Sequence, residues 1–387
     1  MFVQALPQGV LPGAISLIFG HPDASTLPVD DLRAAAEAVL PGAQAQLALA
    51  YGAEQGAPAL IEYLVQKLNR EESLGLTGDN LMIVAGSTAA VDMIARLYAG
   101  RDGVVLVEAP TYHEALHVFR DHGVDLQSVP IDEDGIVVQA LEARLDQLRR
   151  RGKAPLLLYT IPNFQNPAGV TLSSARREVI LKLAHEHEFL IVEDDVYREL
   201  AFEDQAPPSF YGLAKGQGVL RIGSFSKILA PGLRLGWLMA EPSHIERCVN
   251  CGVMQMGGGA NPFAAHIVAE YCRAGRLERH IAQLRQVYRS RCEAMLKALK
   301  RHMPAGVTWT RPRGGFFIWL TFPEGVNVLS LREAARLQGV LFVPGDAFFA
   351  NGGGERNLRL AFSFVPPDEI VRGVAILAQA IRGMMLM

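Results

Sequence analysis

Lys227 sits inside Gly223-Ser-Phe-Ser-Lys-Ile-Leu-Ala-Pro-Gly-Leu-Arg234, among two hydroxyls, two glycines, a proline and a second cation, Arg234. It follows the apolar run Val219-Leu-Arg-Ile222. A fixed cation and buried sequence beside a lysine disfavour its ammonium form, so part of the population becomes a neutral amine nucleophile. Such an amine can form a Schiff base with an aldehyde. Ser224, Ser226 and Arg234 are phosphate-binding types, because hydroxyls and a guanidinium fork suit phosphate oxygens. The segment therefore suggests a cofactor carrying both an aldehyde and a phosphate, a description that pyridoxal phosphate meets.

Four other clusters could serve the same chemistry. Gly86-Ser87-Thr88 opens a helix-like stretch, where backbone N–H groups and two hydroxyls can bind an anion or simply cap the helix. Tyr112, in Glu108-Ala-Pro-Thr-Tyr112, could cover a planar ring or be a rim aromatic. Asn166, in the amide-rich loop Thr160 to Gly169, could donate to a ring oxygen, although Asn-Pro is also a common turn. Glu193-Asp-Asp-Val-Tyr197 offers three carboxylates, which could bind a metal, cap a helix, or supply one ionised Asp to hold a pyridinium nitrogen protonated.

Each cluster follows an element able to position it. Leu81 to Ala85, Val104 to Val107, Leu156 to Tyr159, Phe189 to Val192 and Val219 to Ile222 are continuous apolar runs, as expected of strands covered on both faces. Between them, Ser87 to Leu97, His113 to Asp121, Val137 to Arg150 and Ser173 to His187 show the spacing of helices with one buried stripe. The pattern predicts an α/β fold whose mainly parallel sheet binds ligand at the carboxyl ends of its strands. Near Arg273-Ala-Gly-Arg276 it changes to a long charged helix, Leu277 to His302, and then to strand-like runs around Gly314-Gly-Phe-Phe-Ile-Trp319. That change marks a second, smaller lobe, which also takes in the N-terminal forty or so residues, since Leu27-Pro-Val-Asp-Asp-Leu reads as a helix start with no strand partner nearby.

Composition narrows the partners. The chain of 387 residues is 50% hydrophobic, enough for a sizeable core, and its 37 basic and 40 acidic residues give a net charge of −3. No dense basic block favours nucleic acid or an anionic membrane, so small molecules are the expected ligands. The N-terminus, Met1 to Pro7, lacks the pattern of a secretion signal, and no apolar run approaches a membrane span, which points to the cytoplasm. Cys248, Cys251, Cys272 and Cys292 are too few for a disulfide framework; the C-x-x-C has no second pair at zinc spacing, so all four read as packing or incidental thiols.

Taken in order, these segments resemble the fold-type I pyridoxal-phosphate enzymes, specifically class I/II aminotransferases of the aminoadipate, kynurenine and multi-substrate branch. The resemblance runs through Ile15-Ser-Leu, Gly20-His-Pro-Asp, Tyr51-Gly52, Gly86-Ser87, Pro110-Thr-Tyr112, Asn166-Pro-Ala-Gly169, Asp194 with Tyr197, Ser224-Phe-Ser-Lys227, Gly232-Leu-Arg234, Gly314-Gly-Phe-Phe and Asn357-Leu-Arg359. It implies a large domain, residues 46–275, with a seven-stranded, mainly parallel sheet flanked by helices, and a smaller α+β domain from residues 1–45 and 276–387. It further implies that Lys227 forms the Schiff base and later moves the proton, that Asp194 holds the pyridine nitrogen protonated, and that Asn166 and Tyr197 bond the ring's phenolic oxygen. Tyr112 would stack on the ring. Ser87, Thr88, Ser224, Ser226 and Arg234 would bind the phosphate, with Tyr51 reaching over from the partner of a homodimer. Arg359 would grip the substrate carboxylate, helped by Asn166 and the Gly20 backbone. No metal is implied.

Two positions depart from the pattern: Thr88 and Ala50 stand where related enzymes often carry Gln. Ala50 cannot replace an amide, which affects the expected contact between subunits. The expected reaction is ping-pong transfer of an amino group from an aromatic, branched or 2-aminoadipate-like L-amino acid to a 2-oxo acid such as 2-oxoglutarate, the donor class resting on the branch and on apolar Leu17-Ile-Phe19. The same residues also suit a carbon–sulfur β-lyase on this fold. Ser224-Phe-Ser-Lys227 satisfies the S-x-x-K of penicillin-recognising hydrolases, but neither Ser-Asp-Asn nor Lys-Thr-Gly follows. A non-catalytic regulator would need a DNA-binding module, and none is visible.

Overall fold

The computed structural model describes residues 13–42, 44–203 and 206–385. The N-terminal segment Met1 to Pro7, read above for a leader, lies outside them. The chain enters through strand β1 (Ile15–Ser16) and reaches the main sheet through β2 (Leu81–Val84). It continues with β3 (Val104–Ala109), β4 (Asp125–Asp132), β5 (Gly135–Ile136), β6 (Pro155–Thr160), β7 (Leu190–Asp194), β8 (Val219–Ser224) and β9 (Gly236–Met239).

These last eight form one sheet in the order β2-β9-β8-β7-β6-β3-β4-β5. The neighbours from β8 to β4 are parallel, whereas β9 runs antiparallel to both β8 and β2. The expectation of seven strands is corrected to eight among the described residues, because Gly135–Ile136 folds back on β4 as a short antiparallel hairpin. The five apolar runs form strands, with only Ala85 and Phe189 falling just outside β2 and β7, and β2 and most of β3 and β6 are buried, as a sheet covered on both faces requires. The first helix is shorter than its periodicity predicts. It is α-helical over Ser87–Ile94 and widens to a π turn at Ala95–Ala99, where the carbonyl of Ala95 accepts from the N–H of Gly100.

Parallel strands place their carboxyl ends along one edge of the sheet. Antiparallel pairing to β9 on both sides gives β2 the same direction as β8, and the register aligns Val84, Gly236 and Ser224 across three strands. The loops after β2 and β8 and the loop before β9 therefore converge, although 140 residues separate Val84 from Ser224 along the chain.

The remaining strands are β10 (Thr308–Trp309), β11 (Phe317–Thr321), β12 (Val340–Leu341), β13 (Val343–Pro344) and β14 (Asn357–Ala361). Four of them make an antiparallel sheet, β10-β11-β14-β13, beside the long helix Arg276–His302 and the C-terminal helix Pro367–Met385. The helix start expected at Leu27 to Leu32 is present as the helix Val29–Val39, and upstream of it β1 pairs in parallel with β12, Ile15 opposite Val340. That pairing lays Ile18 to His21 across the front of β14, where the Leu17 carbonyl accepts from Ala361 N–H at 2.8 Å.

All four cysteines are buried free thiols. Among the described residues no helix is long and apolar enough to cross a membrane.

Candidate active site

Lys227 lies in the turn after β8, half-buried, with Nζ donating 3.0 Å to the Gly20 carbonyl. Burial lowers its pKa to about 8; Arg359 and Arg234 push the same way and Asp194 opposes them. At pH 7.5 a group of that pKa is roughly one-quarter neutral amine, against about a thousandth for an ordinary lysine. Gly20 is required where it stands: a Cβ there would lie 2.3 Å from the Phe317 ring. The chain can thus pass between that ring and the lysine only as backbone.

Strand alternation resolves the three carboxylates at the end of β7. Glu193 and Asp195 face one side of the sheet and Asp194 the other. Glu193 accepts from the amides of Phe210 (2.9 Å) and Tyr211 (3.1 Å), and Asp195 pairs with Arg221 at 2.8 Å. They therefore do not join Asp194 in a metal site, and among the described residues no group of three or more His, Cys, Asp or Glu side chains is placed to hold a metal. Asp194 is 3% exposed, and its Oδ2 accepts from the Tyr159 hydroxyl at 2.6 Å. Burial raises its pKa to about 6, against the Tyr159 hydrogen bond and the Lys227 charge, which lower it. Its other oxygen, Oδ1, is buried with no hydrogen-bond partner.

Arg359 projects from the middle of β14 and is 4% exposed. One terminal nitrogen donates to Asn166 Oδ1 (2.9 Å) and the other to the Ile18 carbonyl (2.7 Å), while Nε is buried without a partner. The guanidinium carbon sits 4.3 Å from the Phe317 ring centroid and 5.0 Å from that of Phe348, and burial lowers its pKa to about 10. A guanidinium held in this way has its orientation set before any ligand arrives. Tyr197 is buried edge-on to Phe316 and Phe317, within hydrogen-bond reach of Asn166, and its phenol is pushed above the ordinary range by burial. Tyr112 precedes the helix His113–Asp121, and burial raises its phenol to about 12.

The phosphate-type residues gather where the register of β2, β9 and β8 predicts. Gly86 has a φ of +87°, and a Cβ on it would come within 2.6 Å of an Arg234 guanidinium nitrogen. Arg234 thus lies over the start of the helix Ser87–Ile94, whose N-terminal amides no side chain caps. Ser224 and Ser226 are buried alongside, the Ser226 amide donating to Ser224 Oγ at 3.1 Å. Ser87 is half-buried; Thr88 and Arg234 are exposed. Tyr51 alone stands apart, 89% exposed.

The sequence reading missed several neighbours. Tyr159 lay inside a strand read only as apolar. It pairs with Val192, which shares a face with Asp194 two residues on, so strand parity was the available signal. Glu108 is buried at the end of β3, accepting from Thr160 Oγ1 (2.5 Å), Gln165 Nε2 (2.9 Å) and the Ile161 amide (3.3 Å), with its carboxyl raised to about 7 by burial. Phe348 and the Ile18 carbonyl carried no signal, because long-range pairing alone brings them to Arg359.

A lysine near neutrality, a buried acceptor without a partner, an open helix N-terminus flanked by hydroxyls and a cation, and a buried guanidinium together fit an aldehyde-bearing, phosphate-bearing cofactor and a carboxylate substrate. They define a pyridoxal-phosphate enzyme. The family model for aminotransferase class I and II matches residues 19–377. Aromatic-amino-acid aminotransferase 1 of Thermococcus litoralis is 38% identical over 368 residues, covering 95% of this chain and 88% of that one. The solved multiple substrate aminotransferase of Thermococcus profundus superposes with a TM-score of 0.92 at 38% identity, covering 97% of this chain and 93% of that one. The alpha-aminoadipate aminotransferase of Thermus thermophilus, solved in complex with N-(5'-phosphopyridoxyl)-L-leucine, gives 0.88 at 33% identity, covering 97% and 94%. The chain belongs to the class I and II aminotransferases: it is a transaminase whose cofactor is pyridoxal phosphate and whose substrates are amino acids and 2-oxo acids.

Proposed function

We propose that this transaminase takes the amino group of an L-amino acid with an aromatic, branched or 2-aminoadipate-like side chain and passes it to a 2-oxo acid such as 2-oxoglutarate by a ping-pong route. The donor range rests on the relatives, named for aromatic amino acids, multiple substrates and alpha-aminoadipate, and on the rings of Phe19, His21 and Phe364, which lie mutually 5.1 Å apart beside Gly20. The observation that carries the reading is the convergence of the Lys227 amine, the unpaired Asp194 Oδ1 and the Arg359 guanidinium at one edge of the sheet.

When bound, pyridoxal phosphate supplies an electrophilic carbonyl and a ring that takes up the electron pair left when Cα loses its proton. The residues do the rest. Arg359, oriented by Asn166, binds the α-carboxylate through its fork, with the Gly20 backbone alongside. That grip sets the Cα–H bond for removal and so favours proton transfer over loss of carbon dioxide. Lys227 Nζ would take the proton from Cα and deliver it to the cofactor's former carbonyl carbon, across the nitrogen that joins them. Asp194 Oδ1 holds a proton on the ring nitrogen. Asn166 and Tyr197 bond the phenolic oxygen, and Tyr112 covers the ring face. Ser87, Thr88, Ser224, Ser226, Arg234 and the helix N-terminus hold the phosphate.

Division into a domain of residues 46–275 and a second of 1–45 with 276–387 is part of the proposal. It is supported by the location of the eight-stranded sheet wholly within the first range and of the two smaller sheets within the second. So is a homodimer. Tyr51, Leu47 and Leu49 are exposed apolar groups next to a loop in which Gly52 meets Pro262, and Val253, Met256 and Phe263 are exposed from that side. A second copy covering this patch would bring Tyr51 to the partner's phosphate site. We place the protein in the cytoplasm, for which the four unpaired thiols speak.

The test is a panel of amino donors with 2-oxoglutarate, scored by 2-oxo-acid formation. Transfer from aromatic, branched or aminoadipate donors, with borohydride fixing the cofactor on Lys227, is the expected result. Pyruvate and ammonia released from cysteine without transfer would instead identify a lyase.

A further inference from the structure

We infer that Tyr159 is the positioning residue that keeps Asp194 ionised and leaves its Oδ1 atom as the acceptor for the ring nitrogen of pyridoxal phosphate. The inference rests on the reading of Asp194 given above and extends it to a residue outside that machinery.

Tyr159 is fully buried near the end of β6, its ring edge-on to Phe119 at 5.6 Å between centroids. Strand pairing fixes the backbone on which it stands and Phe119 fixes the ring, so the hydroxyl reaches Asp194 Oδ2 at 2.6 Å from a preset position. One carboxylate oxygen is thereby occupied and the other left free. Burial and the facing Asp194 push the Tyr159 phenol well above 10, so it remains a donor throughout the working range.

The surroundings show why such a donor is needed. Asp195, the residue after β7, acts as a like charge on Asp194 and favours its protonated form, and Glu108 at the end of β3 lies close enough to feel the charge of Asp194. Tyr112, before the helix His113–Asp121, and Tyr197, after β7, also face this region. Lys227 is a cation that acts on the carboxylate, and it loses that charge when its amine is neutral. Tyr159 is a neutral donor that stabilises the carboxylate whatever the state of Lys227. A hydrogen bond to the charged form of an acid lowers its pKa, and its loss in a buried site raises it. Without the hydroxyl, Asp194 would keep a proton that it has to leave on the ring.

The experiment uses holoenzyme reconstituted with ring-15N pyridoxal phosphate, together with the pH dependence of cofactor binding to apoenzyme. In Tyr159→Phe the ring-nitrogen signal at pH 7.5 is expected to move toward that of unprotonated pyridine. The pH midpoint for tight binding should rise by about one unit, a roughly fivefold loss of affinity at the wild-type midpoint that approaches about tenfold at lower pH. Site-specific 3-fluorotyrosine at position 159 keeps the shape but donates more strongly, so it should shift both quantities the opposite way, and it serves even if the Phe variant fails to fold. A nitrogen signal and midpoint that stay at wild-type values with the fluorinated residue overturn the inference. Asp194→Asn distinguishes the two levels: if it leaves the nitrogen signal unmoved, the reading of Asp194 itself fails.

Discussion

The two ends of the site are built in opposite ways. At the ring and carboxylate end, Asp194, Asn166, Tyr197 and Arg359 are all buried, each with its orientation fixed inside one chain. At the phosphate end Ser224 and Ser226 are buried too, but Thr88 and Arg234 are exposed, and Tyr51 projects from the surface. The first end works in a low-dielectric setting where a charge or hydrogen bond counts for much and misplacement is costly. The second offers backbone amides, hydroxyls and the Arg234 cation at a more open surface, where a single contact counts for less. The difference implies that chemistry is governed at the buried end and cofactor retention at the open one.

Lys227→Ala should show the largest effect, since it removes the amine proposed to move the proton. Turnover is expected to fall by about 10⁴ or more, read by single-turnover absorbance of holoenzyme with a good donor. Arg359→Lys comes next. The substitution keeps the charge but loses the fork, and kcat/KM should drop by about 10- to 100-fold, mostly through KM. A KM within threefold of wild type would remove Arg359 from the carboxylate site. At the open end, Arg234→Ala should weaken cofactor binding by about tenfold while leaving turnover of the saturated enzyme within about twofold, measured by equilibrium dialysis. If Arg234→Ala damaged turnover as severely as Arg359→Lys, the contrast between the two ends would be lost.

How much of this was legible in the sequence follows the same division. Lys227, Ser224, Ser226 and Arg234 were readable because one short segment holds them, and the strand-end loops were readable because apolar runs announce parallel strands. The strand β9, only four residues long and holding Trp237 between glycine and leucine, gave no such run, yet it aligns Val84 with Ser224. The pairing of Ile15 with Val340 was equally silent, since two-residue strands carry no periodicity. The roles of Asp194 and Arg359 came from resemblance; Arg359 acquires its neighbours only when β14, β11 and the Ile18 segment meet.

The buried end should also be detectable as a cost to the folded apoenzyme. The pKa of Lys227 is lowered to about 8 from an ordinary 10.5, so the folded state binds fewer protons than the unfolded state between those values. Stability therefore rises as pH increases through that window, and below pH 8 the folded protein carries the full penalty of a half-buried ammonium. Lys227→Met removes the penalty while keeping the bulk of the side chain. With the screening of a half-buried group allowed for, the expected gain is about 1–2 kcal/mol, or about 1–2.5 °C in the apoenzyme Tm at pH 7. The gain should shrink toward zero as pH passes from 8 to 10.5, because the wild-type amine is then neutral in both states. Arg234→Met, at the exposed end, should leave the apoenzyme Tm within about 1 °C, as surface substitutions generally do. Calorimetry of the three apoproteins at pH 7 and pH 10 decides the point. A Lys227→Met protein no more stable than wild type at pH 7 would mean that the lysine pays no burial cost, and its readiness to act as an amine would then need another source.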